Sequence, residues 1–168
     1  MPILQTARLA LRTIGEDDAP FYLELVNTPQ FIANIGDRGI RNLEAAREAI
    51  ASGPVAMQTA LGHSIYLVAL NEGGTAIGMC GLIKRESLAD VDLGYAFLPP
   101  YFGQGYASEA ALGVVAHARR LGIRRLAAIV SPGNAASSAL LAKVGMRERG
   151  VVYLSPQDSG MLLYGMDL

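Results

Sequence analysis

The sequence predicts an α+β fold: one mixed, mostly antiparallel sheet of about six or seven strands with helices on both faces. Three observations carry this. Ser64–Leu70, Ala76–Lys84 and Asp90–Leu98 are strand-like runs joined by short polar links, which makes an antiparallel meander. A proline- and glycine-rich turn follows, LPPYFGQGYAS from Leu98 to Ser108, and opens a helix-like run over 104–121. A further strand-like run, Arg124–Val130, comes next, so the helix is a crossover to a parallel neighbour.

The remaining elements fit around that centre. RLALRTI, residues 8–14, alternates as a strand does. GEDDAPFYLELVN then predicts a helix capped by Asp17 or Asp18, its apolar side holding Phe21, Leu25 and Tyr22. Pro29, Gly36 and Gly39 break the next region, and Asn42 caps a helix that is expected to stop at Gly53. In the crossover helix Ala107, Ala110, Ala111, Val114, Val115, Ala118 and Leu121 form one apolar stripe. SPGN leads into a second helix, Ala135–Val144, closed by Gly145, and Met146–Leu154 with Met161–Leu168 reads as a closing hairpin. No linker interrupts the chain, so a single domain over 1–168 is expected.

Composition narrows the function. With 168 residues, 51% of them apolar, the chain can bury a full core. A net charge of −1 lacks the broad basic field that nonspecific nucleic-acid binding needs, so no nucleic-acid partner is expected. No apolar stretch approaches a membrane span or a signal peptide. The single cysteine, Cys80, excludes an internal disulfide and points to a reducing, cytoplasmic setting. His63 has no partner at metal or triad spacing, His117 reads as a rim residue beside the helix stripe, and no metal is expected.

A glycine-rich turn at a helix start directs several backbone N–H groups and the positive helix end at one point, which suits a phosphate. A Gly-Lys-Ser/Thr ending is absent, so this is not a Walker loop. A dinucleotide fingerprint needs an acidic residue after the next strand, and RRLAAIV is followed by SPGN. Pro99, Pro100 and Pro132 end both parallel strands, and prolines cannot continue a ladder. The strands are therefore expected to splay at their C-terminal ends. The resulting cleft suits a diphosphate ligand with an amide-bearing arm that pairs with a strand edge.

RLALR, LGYAFLPPYFGQGYASEA and the later Asn134, Ser137, Lys143, Gly145 set occur in this order along nearly the whole chain. Together they resemble GNAT-fold N-acetyltransferases, most closely the RimJ/RimL-type branch. That family's pyrophosphate motif, Q/R-x-x-G-x-G/A, maps onto Phe102 to Ala107, with Phe102 replacing the usual polar residue. Met146 stands where the family usually has Phe. The resemblance implies a GNAT-like sheet with acetyl-CoA as cosubstrate. Gly103, Gln104, Gly105, Tyr106 and Ala107 would hold the pyrophosphate, with help from the Ser108 hydroxyl. Phe97 and Leu98 would face the pantetheine arm, and Asn134, which also reads as a helix cap, would face it from the opposite strand.

Acetyl transfer to an amine needs a base, a polarised carbonyl and a proton for the leaving thiolate. Asp92 is the candidate base. Ser137 is the candidate for assisting the thiolate, with Tyr153 as the other choice. The acceptor would be a protein N-terminus or a small amine, bound by residues 15–62 and the 154–161 turn. An acidic lining from Asp17, Asp18, Glu24 and Asp37 would favour polyamines or aminoglycosides, although caps and surface positions account for these residues. A homodimer stays open by the resemblance, and a non-catalytic acyl-CoA sensor or scaffold is the alternative function.

Overall fold

The structure, a computed structural model, describes all of residues 1–168. The strands are β1 (Leu4–Gln5), β2 (Leu9–Thr13), β3 (Ile65–Leu70), β4 (Ala76–Ile83), β5 (Val91–Phe97), β6 (Arg125–Val130), β7 (Arg147–Val152) and β8 (Met161–Asp167). The helices are α1 (Ala19–Val26), α2 (Pro29–Asn34), α3 (Leu43–Ile50), α4 (Ala56–Leu61), α5 (Tyr106–Arg120) and α6 (Ala135–Lys143). All eight strands join one sheet in the order β1-β2-β3-β4-β5-β6-β8-β7. Every neighbouring pair is antiparallel except β5 and β6. The expected α+β class holds. The eighth strand is β1, whose two residues are too short to show a period.

The meander forms as predicted, with one β-bulge. Val68 pairs with Gly78 and Ala69 with Ala76, which leaves Ile77 as the extra residue of β4. The closing hairpin also forms, but its second arm lies inside. β8 pairs β6 on one edge and β7 on the other. The sequences explain this order. MLLYGMD includes the buried Tyr164, whereas RERGVV is exposed almost throughout and carries the charges that blunt an edge strand.

Two cores sandwich the sheet. On one face Tyr66, Val68, Cys80, Leu82, Leu93 and Phe97 pack with the stripe Ala110, Ala111, Val114, Val115 and Ala118 of α5. On the other face Leu67, Ala69 and Met79 pack with Leu25, Val26, Phe31, Ala46 and Ile50 of the N-terminal helices. Two local expectations change. Asp18 makes no cap bond at the start of α1; it accepts from both Arg12 terminal nitrogens at 2.8 Å and from Gly15 N–H at 2.9 Å. The helix after Asn42 does not stop at Gly53. A π turn over Ala51–Val55 joins α3 to α4, and the run ends at Gly62 in the left-handed region. Pro54 lies inside that turn, where the looser i→i+5 register accommodates a residue with no N–H.

Two glycines separate steric need from local preference. A Cβ on Gly81 would sit 2.3 Å from the Ser64 carbonyl oxygen and 2.5 Å from Ile65 Cα, both backbone atoms. A Cβ on Gly53 would meet nothing within 4 Å. Gly81→Ala is expected to lower unfolding free energy by about 1–3 kcal/mol, and Gly53→Ala to raise it by about 0.5–1 kcal/mol. Urea denaturation midpoints measure both.

Candidate active site

The parallel pair β5 and β6 is joined only at Val91–Leu126 and Asp92–Ala127. Beyond those residues the strands separate, although β5 continues to Phe97 and β6 to Val130. The splay was expected at Pro99–Pro100 and Pro132, but it begins at Leu93, well before them. On their outer edges both strands stay fully paired: β5 is bonded to β4 along Asp92–Phe97, and β6 to β8 along Arg125–Val130. The Leu98 N–H donates to Ile77 O on β4 at 2.9 Å. Successive residues of a strand direct their backbone groups to alternate edges, so those of Tyr95 and Phe97 point into the gap. The gap opens into a cleft of about 1340 Å³.

The glycine-rich turn lies at the mouth of this cleft. Gly103 and Gly105 take φ of +73° and +80°, values that favour glycine, and Gly105 is the N-cap of α5 without a capping side chain. No N–H from Gly103 to Ser108 donates to a protein acceptor. Six consecutive donors are thus left at the positive end of a fifteen-residue helix. The back of the turn is clasped from β2. The Arg8 guanidinium donates to Gln104 O at 2.9 Å and to Glu109 at 2.7 Å, and it lies 4.3 Å from the Tyr106 ring centre. Burial would raise the Glu109 pKa, but bonds from Thr6 and Arg8 outweigh it and leave the group below its usual range.

Asp92 and Ser137 both line the cleft, from opposite faces of the sheet. Asp92 alternates with Leu93, Tyr95 and Phe97, so it projects toward α1–α4 while Tyr95 projects toward α5 and α6. Asp92 is only 1% exposed. Its Oδ2 accepts from Arg85 Nε at 2.8 Å, and its Oδ1 is buried with no partner. Burial pushes its pKa up to about 6, against the opposing pull of Arg85. On the other face the Tyr95 hydroxyl and Ser137 Oγ form a short hydrogen bond, and burial pushes Tyr95 up to about 12. Arg85 and Tyr95 were not expected from sequence. Strand parity marks Tyr95, through its place on the edge facing a parallel neighbour, whereas Arg85 sits in a loop with no period.

The other expected residues divide clearly. Phe97, Gly103, Gly105, Tyr106, Ala107, Ser108 and Asn134 line the cleft. Asn134 also caps α6, its Oδ1 accepting from Ser137 N–H at 3.3 Å. Leu98 does not face the cleft: its N–H is taken by Ile77, its carbonyl accepts from Tyr101 N–H at 3.0 Å, and its side chain sits in the second core. Gln104 also turns away, its side chain donating to Pro100 O at 3.0 Å. Tyr153 is exposed beyond β7 and outside the cleft. His63 is buried with Nδ1 3.1 Å from Leu82 O, and His117 contacts Tyr66 at 3.3 Å. Cys80 is a fully buried core residue, and that burial pushes its thiol up.

The Arg85 guanidinium favours the ionised form of Asp92, so Arg85→Met should move its midpoint above the wild-type value of about 6. A carbon-detected NMR titration of the Asp92 carboxyl reads this directly. An unchanged midpoint would remove Arg85 as the group that tunes it.

The comparisons with known proteins agree with this geometry. The family model described as an acetyltransferase (GNAT) domain matches residues 8–147. The chain is 30% identical over 154 residues to an uncharacterized N-acetyltransferase of Bacillus subtilis, YoaA, covering 90% of this chain and 86% of that protein. It superimposes on an acetyltransferase from Agrobacterium tumefaciens with a TM-score of 0.82 and 28% identity, covering 99% of this chain and 94% of that one. The fold is also that of RimL, the ribosomal L7/L12 α-N-protein acetyltransferase solved with coenzyme A. There the TM-score is 0.85 at 20% identity, over 100% of this chain and 98% of RimL. The chain belongs to the GNAT family of N-acetyltransferases.

Proposed function

We propose that the protein transfers an acetyl group from acetyl-CoA directly to a primary amine, both substrates being bound together in the β5–β6 cleft. The observation that carries this is the early separation of the two parallel strands beside six uncommitted N–H groups. A pyrophosphate takes the amides of Gly103 to Ser108 together with the Ser108 hydroxyl. The amides of the pantetheine arm pair with the Phe97 edge of β5, and Asn134 faces the arm from the start of α6. This is the arrangement expected for the RimJ/RimL-type branch. Its acceptor is a protein N-terminus, as RimL's name states for RimL, or a small amine.

The two faces of the sheet divide the proton transfers. The amine approaches from the α1–α4 face, where Asp92 Oδ1 accepts its proton as the N–C bond forms. Backbone N–H groups on the free edge of β5 polarise the carbonyl and stabilise the oxyanion of the tetrahedral intermediate. As the C–S bond breaks, the thiolate takes the Tyr95 hydroxyl proton, and Ser137, bonded to that hydroxyl, supports its replacement. A tyrosine held near 12 stays protonated through the working pH range. A carboxylate near 6 is ionised above that pH and so able to act as base.

Thiol release from acetyl-CoA over a panel of amines and peptides tests the reading. Turnover with at least one primary amine is expected, and tight CoA binding with no turnover would contradict it. Asp92→Asn should lower kcat about 100-fold or more and remove the rise of activity with pH near 6, leaving the acetyl-CoA KM unchanged. Gly105→Val should weaken CoA binding at least about tenfold, because a side chain at φ +80° is strained and meets Arg8 at 3.3 Å. Isothermal titration with CoA measures it.

A further inference from the structure

The α1–α4 face of the cleft carries an unneutralised positive charge. Of the acidic residues that the N-terminal region offers, Asp17, Asp18, Glu24 and Asp37 do not line the cleft. Asp92 does, but its Oδ2 is paired to Arg85. On the far side Asp158 remains an anion, stabilised by the Leu154 and Gly160 N–H groups at 3.0 Å, so the unpaired positive charge is a property of the α1–α4 face and not of the whole cleft. Arg38 lines the acceptor face and has no carboxylate partner. Its guanidinium lies 5.8 Å from the Phe31 ring centre and close enough to Tyr22 for its charge to act on that phenol.

The loop around Arg38 is built to keep it unpaired. The adjacent Asp37 is captured by Arg41 at 2.6 Å and by Gly39 N–H at 2.9 Å, so it does not neutralise Arg38. Arg41 also donates to Asn27 Oδ1 at 2.6 Å. Asn27 in turn donates to Leu23 O and Ile40 O, each at 2.8 Å, which ties the loop to α1. The free guanidinium therefore stands on a fixed loop above an apolar floor of Tyr22, Phe31, Ile65, Met79 and Ile83.

We infer that the acceptor amine belongs to a molecule with a carboxylate and an apolar body, an amino acid or short peptide, whose carboxylate is held by Arg38. This rests on the acetyl-transfer reading above and names its substrate class. A guanidinium recognises a carboxylate through two parallel N–H bonds. The same charge repels polyamines and aminoglycosides, which carry several cations and no anion.

The test compares phenylalanine, phenylalaninamide, an aspartyl-phenylalaninamide dipeptide, phenethylamine and spermidine as acceptors. Wild type, Arg38→Gln and Arg38→Lys are assayed by CoA release. Arg38 is an exposed loop residue, so its replacement leaves the core intact. The readout is the ratio of kcat/KM for phenylalanine to that for its amide, compared between proteins, so that the different basicities of the two amines cancel. Arg38→Gln should lower this ratio about tenfold or more through the acceptor KM, with the acetyl-CoA KM unchanged, and Arg38→Lys should restore part of it. If the dipeptide shows the larger dependence on Arg38, the carboxylate is read from a side chain of a peptide; if phenylalanine does, it is read from the free amino acid. If neither the phenylalanine-to-amide nor the dipeptide-to-amide ratio changes between wild type and Arg38→Gln, or if spermidine is preferred, the inference is overturned. Calorimetry of N-acetylphenylalanine against its amide separates the two levels. A binding preference without turnover contradicts the transfer reading alone, whereas turnover without any preference contradicts only the carboxylate.

Discussion

The structure depends on one feature: two parallel strands at the centre of the sheet part after only two residue pairs. Each is saturated on its outer edge, β5 by β4 and β6 by β8, and the two meet only at Val91–Leu126 and Asp92–Ala127. A length of β5 edge is therefore exposed in the middle of the molecule, where sheets ordinarily have none. α5 is anchored on one face by its alanine and valine stripe, and its N-terminus is fixed at the open end of the wedge by the Arg8–Glu109 clasp.

This arrangement also divides the chemistry by face. Strand alternation sends Asp92 toward the N-terminal helices and Tyr95 toward α5 and α6. In the proposed reaction the acceptor proton and the thiolate proton are handled by groups on opposite faces of the sheet. The environments differ as the roles require. Burial raises both groups, but Arg85 restrains Asp92 near 6, whereas Tyr95 is held protonated near 12. The N-terminal helices do more than cover the second core, since residues of their loops, Arg38 among them, line the cleft.

Much of this was legible in the sequence because it follows from local rules. The meander, the crossover helix and the glycine-rich turn are encoded by alternation, by helical spacing and by residues with special backbone freedom. What escaped depends on long-range pairing. Leu98 reads as a cleft residue, but its backbone is consumed by Ile77 and Tyr101. The insertion of β8 between β6 and β7 follows from relative burial, which neither strand shows alone. The helix through Gly53 and Pro54 defeats breaker rules because a π turn absorbs the proline. The Tyr95–Ser137 bond joins residues 42 apart in sequence, and Arg85 and Arg38 sit in loops that show no period. Arg119 and Arg120 lie in the last turn of α5 and complement its negative end. Fifteen residues at ~1.5 Å each put them about 20 Å from the turn.

The central claim is that backbone amides bind the cosubstrate, and a nitrogen-resolved NMR titration of the protein with CoA tests it most directly. The account predicts the largest amide shifts at Gly103 to Ser108 and at Phe97, with small ones at Leu98, whose N–H is already bonded to β4. Shifts confined to the arginines at the end of α5 or to the β7–β8 hairpin, with the turn amides unmoved, would contradict it.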